Sequence, residues 1–440
     1  MTQHKVALVK YEKPLESVAR AVELCGGLER IPAGAKVFIK PNIVFWTRQV
    51  PFPKWGTITT SRVIEDMVRL LKDHGAGQIT IGEGTVLGRP DDRETMPHAF
   101  ETLGYNKLKQ RYGVQVIDAF QRPFEEVDLG DGMALSFNQD ILQSDFVVDV
   151  PVMKTHAQTV VSLALKNLKG MIDVKSRKRC HSADPERNLF HWLARLADRL
   201  PPVLAVLDGI FTSEYGPAFD GIMHRSNLLV ASWDLLSADL VGSNLLGQDP
   251  AQVPYLALAA QRRGRPLDLS DVEVLGERVE DLARPHAWSF AYTEDGSLPL
   301  PMANKGIKGI SYYKYDTSLC TYCSSMNGVV LQAVASAWRG EPWEDVEVLT
   351  GKMMQPSGRA KKTILMGKCM YQAHKDNPAI QEMIPIKGCP PQPEQVLKAL
   401  HQAGIMTDPA FFANLEAMPG FFMRRYKDKP EFDESLFRVE

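Results

Sequence analysis

Four cysteines in the last third of the chain place the strongest constraint on its fold. Cys320 and Cys323 form a C-x-x-C motif, in which two thiolates can coordinate one metal centre. Cys369 follows the apolar run T-I-L-M, and Cys389 follows M-I-P-I and precedes the helix-opening sequence P-P-Q-P-E-Q. Apolar runs of this length are typical of buried strands. The pattern therefore predicts four cysteines on separate loops that converge on one edge of one sheet.

Thiolates at such an edge predict a metal centre. A helix that begins just after Cys389 would present free N–H groups and a positive dipole end to an anionic cluster. A structural zinc ion remains an alternative, although zinc ribbons usually pair two C-x-x-C motifs, and this chain has one motif plus two single cysteines. The absence of any metal is the third interpretation.

The runs C-T-Y-C-S, G-K-C and G-C-P-P-Q-P-E, in this order, carry a resemblance. They resemble the proximal iron–sulfur module of the small subunit of nickel–iron hydrogenases and the related small subunit of respiratory complex I. The resemblance implies a flavodoxin-like α/β domain that binds a [4Fe-4S] cluster. It implies the following cluster ligands: Cys320, Cys323, Cys369 and Cys389.

Composition sets the class of protein. A length of 440 residues favours two domains, and a formal net charge of −2 gives no indication of a nucleic-acid partner. The sequence M-T-Q-H-K-V-A-L-V-K lacks the apolar core of a signal peptide, and no apolar run is long enough to span a bilayer. Six cysteines in so long a chain do not suggest a disulfide framework. We therefore expect a cytoplasmic protein.

Strands and helices alternate in the first part of the chain. V-A-L-V predicts a strand, P-L-E-S-V-A-R-A-V-E-L-C an amphipathic helix, and K-V-F-I-K-P-N a strand that ends at Lys40 and Asn42. T-T-S-R-V-I-E-D-M-V-R-L-L predicts a helix, and Q-I-T-I-G-E-G a strand that ends near Glu83. The alternation predicts an α/β fold with a doubly wound, mostly parallel sheet.

The segment from Asp145 to Asp173 repeats the pattern. D-F-V-V-D-V-P-V-M reads as one buried strand that ends at Lys154 and His156. Thr159 is placed to cap a helix, V-V-S-L-A-L-K-N-L-K-G-M-I, on which Lys166 and Lys169 would share a face.

Polar side chains mark the ends of these strands. In open parallel sheets, ligands bind outside the carboxyl ends of the strands, which predicts one anion-binding site there. Lys154 and His156 are the candidate catalytic acid and base. The alternative is that they only bind an anion or cap a helix. The strand-end residues are Lys40, Asn42, Glu83, Lys154, His156 and Asp208, the last of which follows the buried run P-P-V-L-A-V-L.

A second resemblance covers roughly residues 5–280. The runs V-F-I-K-P-N, I-G-E-G-T, V-P-V-M-K-T-H, A-L-K-N-L-K-G-M and L-A-V-L-D-G-I resemble domain-of-unknown-function family 362, which is distantly akin to lactate racemases. The resemblance implies no defined reaction. It implies the following site residues: Lys40, Asn42, Lys154, His156, Lys166, Asn167 and Lys169.

The predicted domains are 1–283, an α/β domain with the anion site, and 306–440, the cluster domain. A proline- and glycine-rich linker, 284–305, separates them. The charged C-terminal tail is expected to pack loosely or against a partner. The basic run from Lys175 to His181 is expected to form an exposed loop in which Cys180 is a candidate reactive thiol.

These observations favour an iron–sulfur oxidoreductase suited to anaerobic metabolism, which passes electrons from a [4Fe-4S] cluster to a small anionic substrate or cofactor. A protein electron donor is the expected partner, and a homo-oligomer is compatible with the sequence. Two alternatives stay open. One is an electron-transfer or accessory protein, and the other is a non-redox isomerase with a structural cluster.

Overall fold

The structure is a computed structural model that describes residues 3–84 and 91–439. The contacts divide the chain into two compact units. Unit 1 contains residues 1–176, 190–288 and 419–440, and unit 2 contains residues 177–189 and 289–418. The division into a domain (1–283), a linker (284–305) and a second domain (306–440) stays a prediction.

The strands of unit 1 alternate with short helices. The strands are β1 (His4–Lys10), β2 (Lys36–Pro41), β3 (Gln78–Glu83), β4 (Gln115–Asp118), β5 (Phe124–Asp128), β6 (Ala134–Asn138), β7 (Phe146–Val150), β8 (Val152–His156), β9 (Val160–Ser162), β10 (Val203–Glu214), β11 (Ile222–Ser232) and β12 (Val272–Gly276). The helices are α1 (Glu16–Leu24), α2 (Ser61–Asp73), α3 (Thr95–Thr102), α4 (Tyr105–Tyr112), α5 (Gln139–Leu142), α6 (Ala164–Asn167), α7 (Val174–Cys180), α8 (Leu189–Leu193), α9 (Leu235–Leu245), α10 (Pro254–Arg263) and α11 (Val279–Leu282). Two of them, α7 and α8, include residues of both units, because the segment 177–189 belongs to unit 2.

The main sheet of unit 1 has the order β12-β1-β11-β10-β7-β2-β3-β4, with β8 and β9 joined to it beside β10. Strands β4, β3, β2, β7 and β10 are parallel to one another, whereas β11 is antiparallel to both β1 and β10. The fold is therefore mixed α/β with a mostly parallel sheet. Because five neighbouring strands run the same way, their carboxyl ends lie along one edge.

Two segments of unit 1 differ from the sequence prediction. The run expected to be one strand divides at Pro151 into β7 and β8, since proline has no N–H to donate to a ladder. The helix predicted from Val160 onwards is wrong at its start. Residues 160–162 form β9, which pairs with β8, and helix begins only at Ala164, followed by a 3₁₀ turn over Leu168–Met171.

The C-terminal tail is part of the core of unit 1, contrary to the prediction that it packs loosely. Tyr426 and Phe437 are buried, and the Tyr426 hydroxyl accepts a hydrogen bond from the backbone N–H of Met223 at 2.9 Å. Lys54 forms an ion pair with Glu434 at 2.9 Å. The charged residues of the tail surround apolar side chains, which explains why its composition was misleading.

Unit 2 is a smaller α/β unit. Its strands are β13 (Ile310–Tyr312), β14 (Val346–Thr350), β15 (Lys362–Met366) and β16 (Glu382–Ile386), and its helices are α12 (Leu300–Ala303), α13 (Thr321–Ala337), α14 (Lys368–His374), α15 (Pro393–Gln402) and α16 (Ala410–Ala413). The sheet has the order β13-β14-β15-β16 with all neighbours parallel. Its apolar core includes Val330, Val348, Ile364 and Leu400.

Candidate functional site

The carboxyl ends of β2, β3 and β7 bring a group of buried charged residues together in unit 1. Lys40 of β2 lies directly opposite Asp149 of β7 in the parallel register, and Glu83 is the last residue of β3 on the other side of β2. All three side chains are almost fully buried. Charges buried this deeply require partners, so their hydrogen bonds define the site.

The Lys40 ammonium has three acceptors. It donates to the Pro41 carbonyl at 2.7 Å, to Glu83 Oε2 at 2.8 Å and to Asn167 Oδ1 at 3.2 Å. Glu83 in turn accepts from the backbone N–H groups of Ile43 at 3.1 Å and Gly84 at 2.9 Å. Every N–H of the ammonium is matched, so Lys40 and Glu83 form a complete buried ion pair.

Asp149 is a site residue that the sequence analysis missed, because it lies inside an apolar run. Its Oδ1 accepts a hydrogen bond from Asn167 Nδ2 at 2.8 Å, while Oδ2 is buried without a hydrogen-bond partner among the described residues. Burial raises the pKa of Asp149 to about 7, although the Lys40 charge acts in the opposite direction. Asn167 therefore bridges the Lys40–Glu83 pair to this acid.

Lys154 is buried as deeply as Lys40 but has a different environment. Its ammonium donates to the Thr57 carbonyl at 3.1 Å, and the same carbonyl accepts from Asn42 Nδ2 at 2.6 Å. Within the described residues, no carboxylate forms an ion pair with Lys154. Burial lowers the pKa of Lys154 to about 7, with a further lowering by Lys40 that the Glu83 charge opposes.

The β8–β9 hairpin determines the position of Lys166. Lys154 pairs across the hairpin with Ser162, and the Lys166 ammonium donates to the Ser162 hydroxyl at 3.4 Å. Val160 begins β9 with a φ of +65°, a left-handed conformation that a β-branched residue rarely adopts. Burial and then the charges of Lys169 and Lys154 lower the pKa of Lys166 well below its ordinary value.

Helix α6 and the following turn are held from two sides. Both carboxylate oxygens of Asp239 in α9 accept from the first backbone N–H groups of α6, those of Ala164 at 2.7 Å and Leu165 at 3.0 Å. On the other side, Gly170 approaches so closely that an added Cβ would lie 2.4 Å from Glu83 Oε1 and 2.8 Å from Lys40 Nζ. Glycine is therefore the residue that fits against the ion pair.

His156 and Asp208 complete the predicted set. His156 is on the same face of β8 as Lys154, and its Nδ1 accepts from the Gln158 N–H at 3.1 Å. Asp208 accepts from the backbone N–H groups of Thr60 at 2.7 Å and Ile210 at 3.1 Å, which ties it to the start of α2. Burial raises the pKa of Asp208 to about 6.

Unit 2 places four of its cysteines at the carboxyl edge of its sheet. Cys369 is the second residue of α14, directly after β15, and Cys389 follows β16, the parallel neighbour of β15. The two loops are joined by a hydrogen bond from the Lys368 N–H to the Gly388 carbonyl at 3.1 Å. Cys369 and Cys389 are both exposed.

The C-x-x-C motif reaches the same edge from helix α13. Cys320 caps this helix and Cys323 lies in its first turn, where a Cβ added to Gly367 would be 3.0 Å from the Cys323 sulfur. The Cys323 thiol donates a hydrogen bond to the Cys320 sulfur, and this bond, burial and the charges of Cys320, Cys369 and Cys389 raise the pKa of Cys323 far above its ordinary value. The four thiols thus influence one another electrostatically.

Within residues 3–84 and 91–439, no three or more His, Cys, Asp or Glu side chains, those of the cysteine edge included, are placed to hold a metal ion. No helix in these ranges is long and apolar enough to cross a membrane.

The two remaining cysteines, Cys25 and Cys180, are both buried. Cys25 is buried in unit 1 with its thiol donating to the Val22 carbonyl at 3.2 Å. Cys180 ends helix α7 and is fully buried, so the expectation of a reactive thiol in an exposed loop is wrong. Its basic neighbours had suggested an exposed loop, but they lie on a helix.

Comparisons with known proteins give one family match and a small number of relatives. Thylakoid-associated protein sll1697 of Synechocystis sp. is 28% identical over 252 residues, which is 57% of this chain and 74% of that protein. The lactate racemase apoprotein of Thermoanaerobacterium thermosaccharolyticum matches with a TM-score of 0.36 and 16% identity over 56% of this chain and 57% of its own. A Thermotoga maritima protein matches with a TM-score of 0.28 and 10% identity over 57% and 59% of the two chains.

This chain therefore spans less than two thirds of the length of each of these two solved structures. Residues 37–244 match the family model described as "Domain of unknown function (DUF362)". The matched range contains the buried charges of unit 1, from Lys40 to Asp239, and ends before the first cysteine of the unit 2 edge.

Proposed function

We propose that the chain is an iron–sulfur redox enzyme in which Cys320, Cys323, Cys369 and Cys389 bind a [4Fe-4S] cluster. One observation carries the proposal: the backbone of unit 2 delivers all four cysteines to the carboxyl edge of one parallel sheet. Four thiolates are the donor set of a cubane cluster, which supplies one-electron transfer when bound. In this proposal unit 2 is a flavodoxin-like cluster domain, and unit 1 a doubly wound substrate domain.

Unit 1 would bind the electron acceptor, a small anion. Lys154 and His156, on one face of β8, would exchange protons with it. Lys166, Lys169 and Asn42 would contribute to binding. Among the described residues, neither Lys154 nor Lys166 forms an ion pair with a carboxylate, which favours a negatively charged ligand.

Four of the predicted site residues use most of their hydrogen-bonding groups within the protein: Lys40, Glu83, Asn167 and Asp208. We propose that they order the strand ends around the bound anion. The sequence also predicts that these residues contact the substrate directly, and we include that contact in the proposal.

An electron-transfer or accessory protein is the second candidate, and the exposure of Cys369 and Cys389 favours it. An exposed thiol edge suits exchange of electrons with a protein partner. We retain a protein electron donor in the enzyme proposal for the same reason. The group of buried lysines in unit 1 supports the enzyme, because protein docking does not require buried charge.

We place the protein in the cytoplasm, where a reducing environment keeps unpaired cysteines as thiols. No two cysteines form a disulfide in residues 3–84 and 91–439. The thylakoid association in the name of the Synechocystis relative raises the alternative of a membrane-associated location for this chain.

Anaerobic purification tests the cluster directly. We expect about four irons and four acid-labile sulfides per chain, as a cubane requires. Cys369→Ser and Cys389→Ser should lose the iron and the visible absorbance, whereas Cys25→Ser, at a buried thiol of unit 1, should retain both. Zinc without iron, or equal loss of iron in Cys25→Ser, would contradict the proposed cluster ligands.

Oxidation of the dithionite-reduced protein separates enzyme from electron carrier. A panel of small organic anions should include at least one that restores the visible absorbance of the wild-type protein. Lys154→Ala and His156→Ala should keep their iron content but respond to that anion at least tenfold more slowly, since proton transfer contributes factors of about 10² to 10⁴. Equal rates in all three proteins would favour the electron carrier.

A further inference from the structure

We propose that Lys154, Lys166 and Ser162 form a binding site for a phosphoryl dianion, such as the phosphate group of a small monoester. The inference rests on the proposed anion site of unit 1 and narrows its ligand class. It does not depend on the cluster of unit 2. Ser162 was not among the residues that the sequence indicated, because its segment was expected to be helical.

The β8–β9 hairpin creates this site. Lys154 and Ser162 are directly paired across the two antiparallel strands, so their side chains leave the sheet on the same face. Cross-strand Cβ atoms of such a pair are about 5 Å apart. Lys166, four residues after Ser162, returns its ammonium to the Ser162 hydroxyl at 3.4 Å. Three donor groups therefore project from one hairpin and the helical turn after it.

Each of the three groups has unused donor capacity. The Lys154 ammonium has three N–H groups and donates to one neutral carbonyl, that of Thr57. Lys166 donates to one hydroxyl, and the Ser162 oxygen uses its lone pair to accept that bond. Across residues 3–84 and 91–439, no acceptor receives the Ser162 proton. A ligand with several acceptor oxygens would accept the unused hydrogen bonds of all three groups.

The surrounding charges favour an anion with more than one negative charge. Glu83, the carboxylate whose charge acts on Lys154, already forms an ion pair with Lys40 at 2.8 Å. The other nearby acid, Asp149, is held by Asn167 at 2.8 Å. The positive charge of Lys169 lies close enough to lower the pKa of Lys166, and a bound anion would act in the opposite direction by favouring the protonated amine. Neither Lys154 nor Lys166 contacts a carboxylate in the described part of the chain.

The number and type of donors select phosphate over carboxylate. A phosphoryl group offers three terminal oxygens to two ammonium groups and one hydroxyl, whereas a carboxylate offers two oxygens. Lys154 and Ser162 are buried, while Lys166 is only partly buried. Lys166 therefore keeps some contact with solvent, and the desolvation of Lys154 would strengthen a charge-assisted bond to the dianion.

Titration with inorganic phosphate tests the site. Calorimetry and phosphorus NMR should show binding of phosphate to the full-length wild-type protein, with malonate, a dicarboxylate, at least tenfold weaker. Lys166→Met and Ser162→Ala should each weaken phosphate binding about tenfold or more, because each removes a hydrogen bond to a charged group. Lys109→Met, at an exposed lysine of α4, is the matched control and should bind as the wild type does.

Three results would overturn the inference: no phosphate binding by the folded wild type, malonate binding as tight as phosphate, or an equal loss in Lys109→Met. Lys166→Gln provides a second, milder variant at a partly exposed position if Ser162→Ala fails to fold. Iron content measured on the same samples keeps the two proposals separate. If the purified protein binds phosphate but contains no iron, only the redox proposal is refuted. If it contains the iron–sulfur cluster but does not bind phosphate, only the phosphate-site proposal is refuted.

Discussion

Lys40 and Lys154 are equally inaccessible to solvent, with 0% and 1% of their surface exposed, yet their surroundings are opposite. Lys40 has three acceptors, including the Glu83 carboxylate, whereas Lys154 has one neutral carbonyl. A buried ion pair with complete hydrogen bonds stabilises the fold, because removal of one partner leaves the other charge buried and unpaired. A buried lysine with a single neutral acceptor is suited to a ligand or to loss of its proton. Burial alone therefore does not distinguish a structural lysine from a functional one.

The strongest test of this comparison removes each lysine in turn. Lys40→Met should destabilise unit 1 by about 3–5 kcal/mol, because it leaves the Glu83 carboxylate buried without its partner. Lys154→Met should change stability by less than about 1 kcal/mol at pH 8, since it replaces a poorly paired buried amine by an apolar side chain of similar length. Hydrogen exchange of peptides from β2 and β3 gives the free energy of opening in both variants.

A double variant identifies the cause of that loss. Lys40→Met/Glu83→Gln removes both charges, so it should recover a substantial part of the stability lost in Lys40→Met. No recovery would mean that Lys40 acts through packing and not through its charge. A loss in Lys154→Met as large as that in Lys40→Met would remove the distinction between the two lysines.

The next largest effect is on the pH dependence of stability. Burial lowers the pKa of Lys154 to about 7, whereas in the unfolded chain a lysine keeps its proton up to about pH 10.4. Between these two values the unfolded state binds more protons, so this group makes stability rise as pH rises from about 7. Between pH 7.5 and 9.5 the wild type should gain about 2 kcal/mol relative to Lys154→Met.

Urea unfolding of both proteins at several pH values measures this difference. The other titrating groups are shared, so the difference between the two curves isolates Lys154. Parallel curves would show that Lys154 keeps its proton in the folded protein, and would contradict the lowered pKa of this group.

The sequence was informative about strand ends and uninformative about their partners. Apolar runs that end at Lys40, Glu83 and Lys154 predicted polar side chains at the carboxyl edge, and the parallel register brings these ends together. The difference between the two lysines depends on contacts that sequence spacing does not encode. Glu83 and Asn167 are distant in sequence from Lys40, and the Lys154 acceptor is a backbone carbonyl.

Two parts of the site were hidden by local patterns. Asp149 lies in F-V-V-D-V, where apolar neighbours make the segment read as a plain buried strand. Ser162 lies in a segment with helix-like periodicity, but tertiary pairing with β8 and the left-handed conformation of Val160 make it a strand. The signal that could have identified Asp149 is its chemistry alone: a carboxyl group inside an apolar run needs a partner.

The smallest predicted effect tests the packing around the Lys40–Glu83 pair without changing any charge. In Gly170→Ala the new methyl group would lie 2.4 Å from Glu83 Oε1 and 2.8 Å from Lys40 Nζ, so the pair must shift or the 3₁₀ turn must move. We expect a loss of about 1.5 kcal/mol, in the range of other overpacked sites. Gly328→Ala is the matched control, because an added Cβ at this position of α13 meets no atom within 4 Å. There alanine should be neutral or stabilising by up to about 1 kcal/mol, as expected inside a helix. Hydrogen exchange should show the loss in peptides of β2 and β3 for Gly170→Ala only. If Gly170→Ala is as stable as the wild type, the ion pair has room to move, and Lys40 is less rigidly held than its three hydrogen bonds indicate.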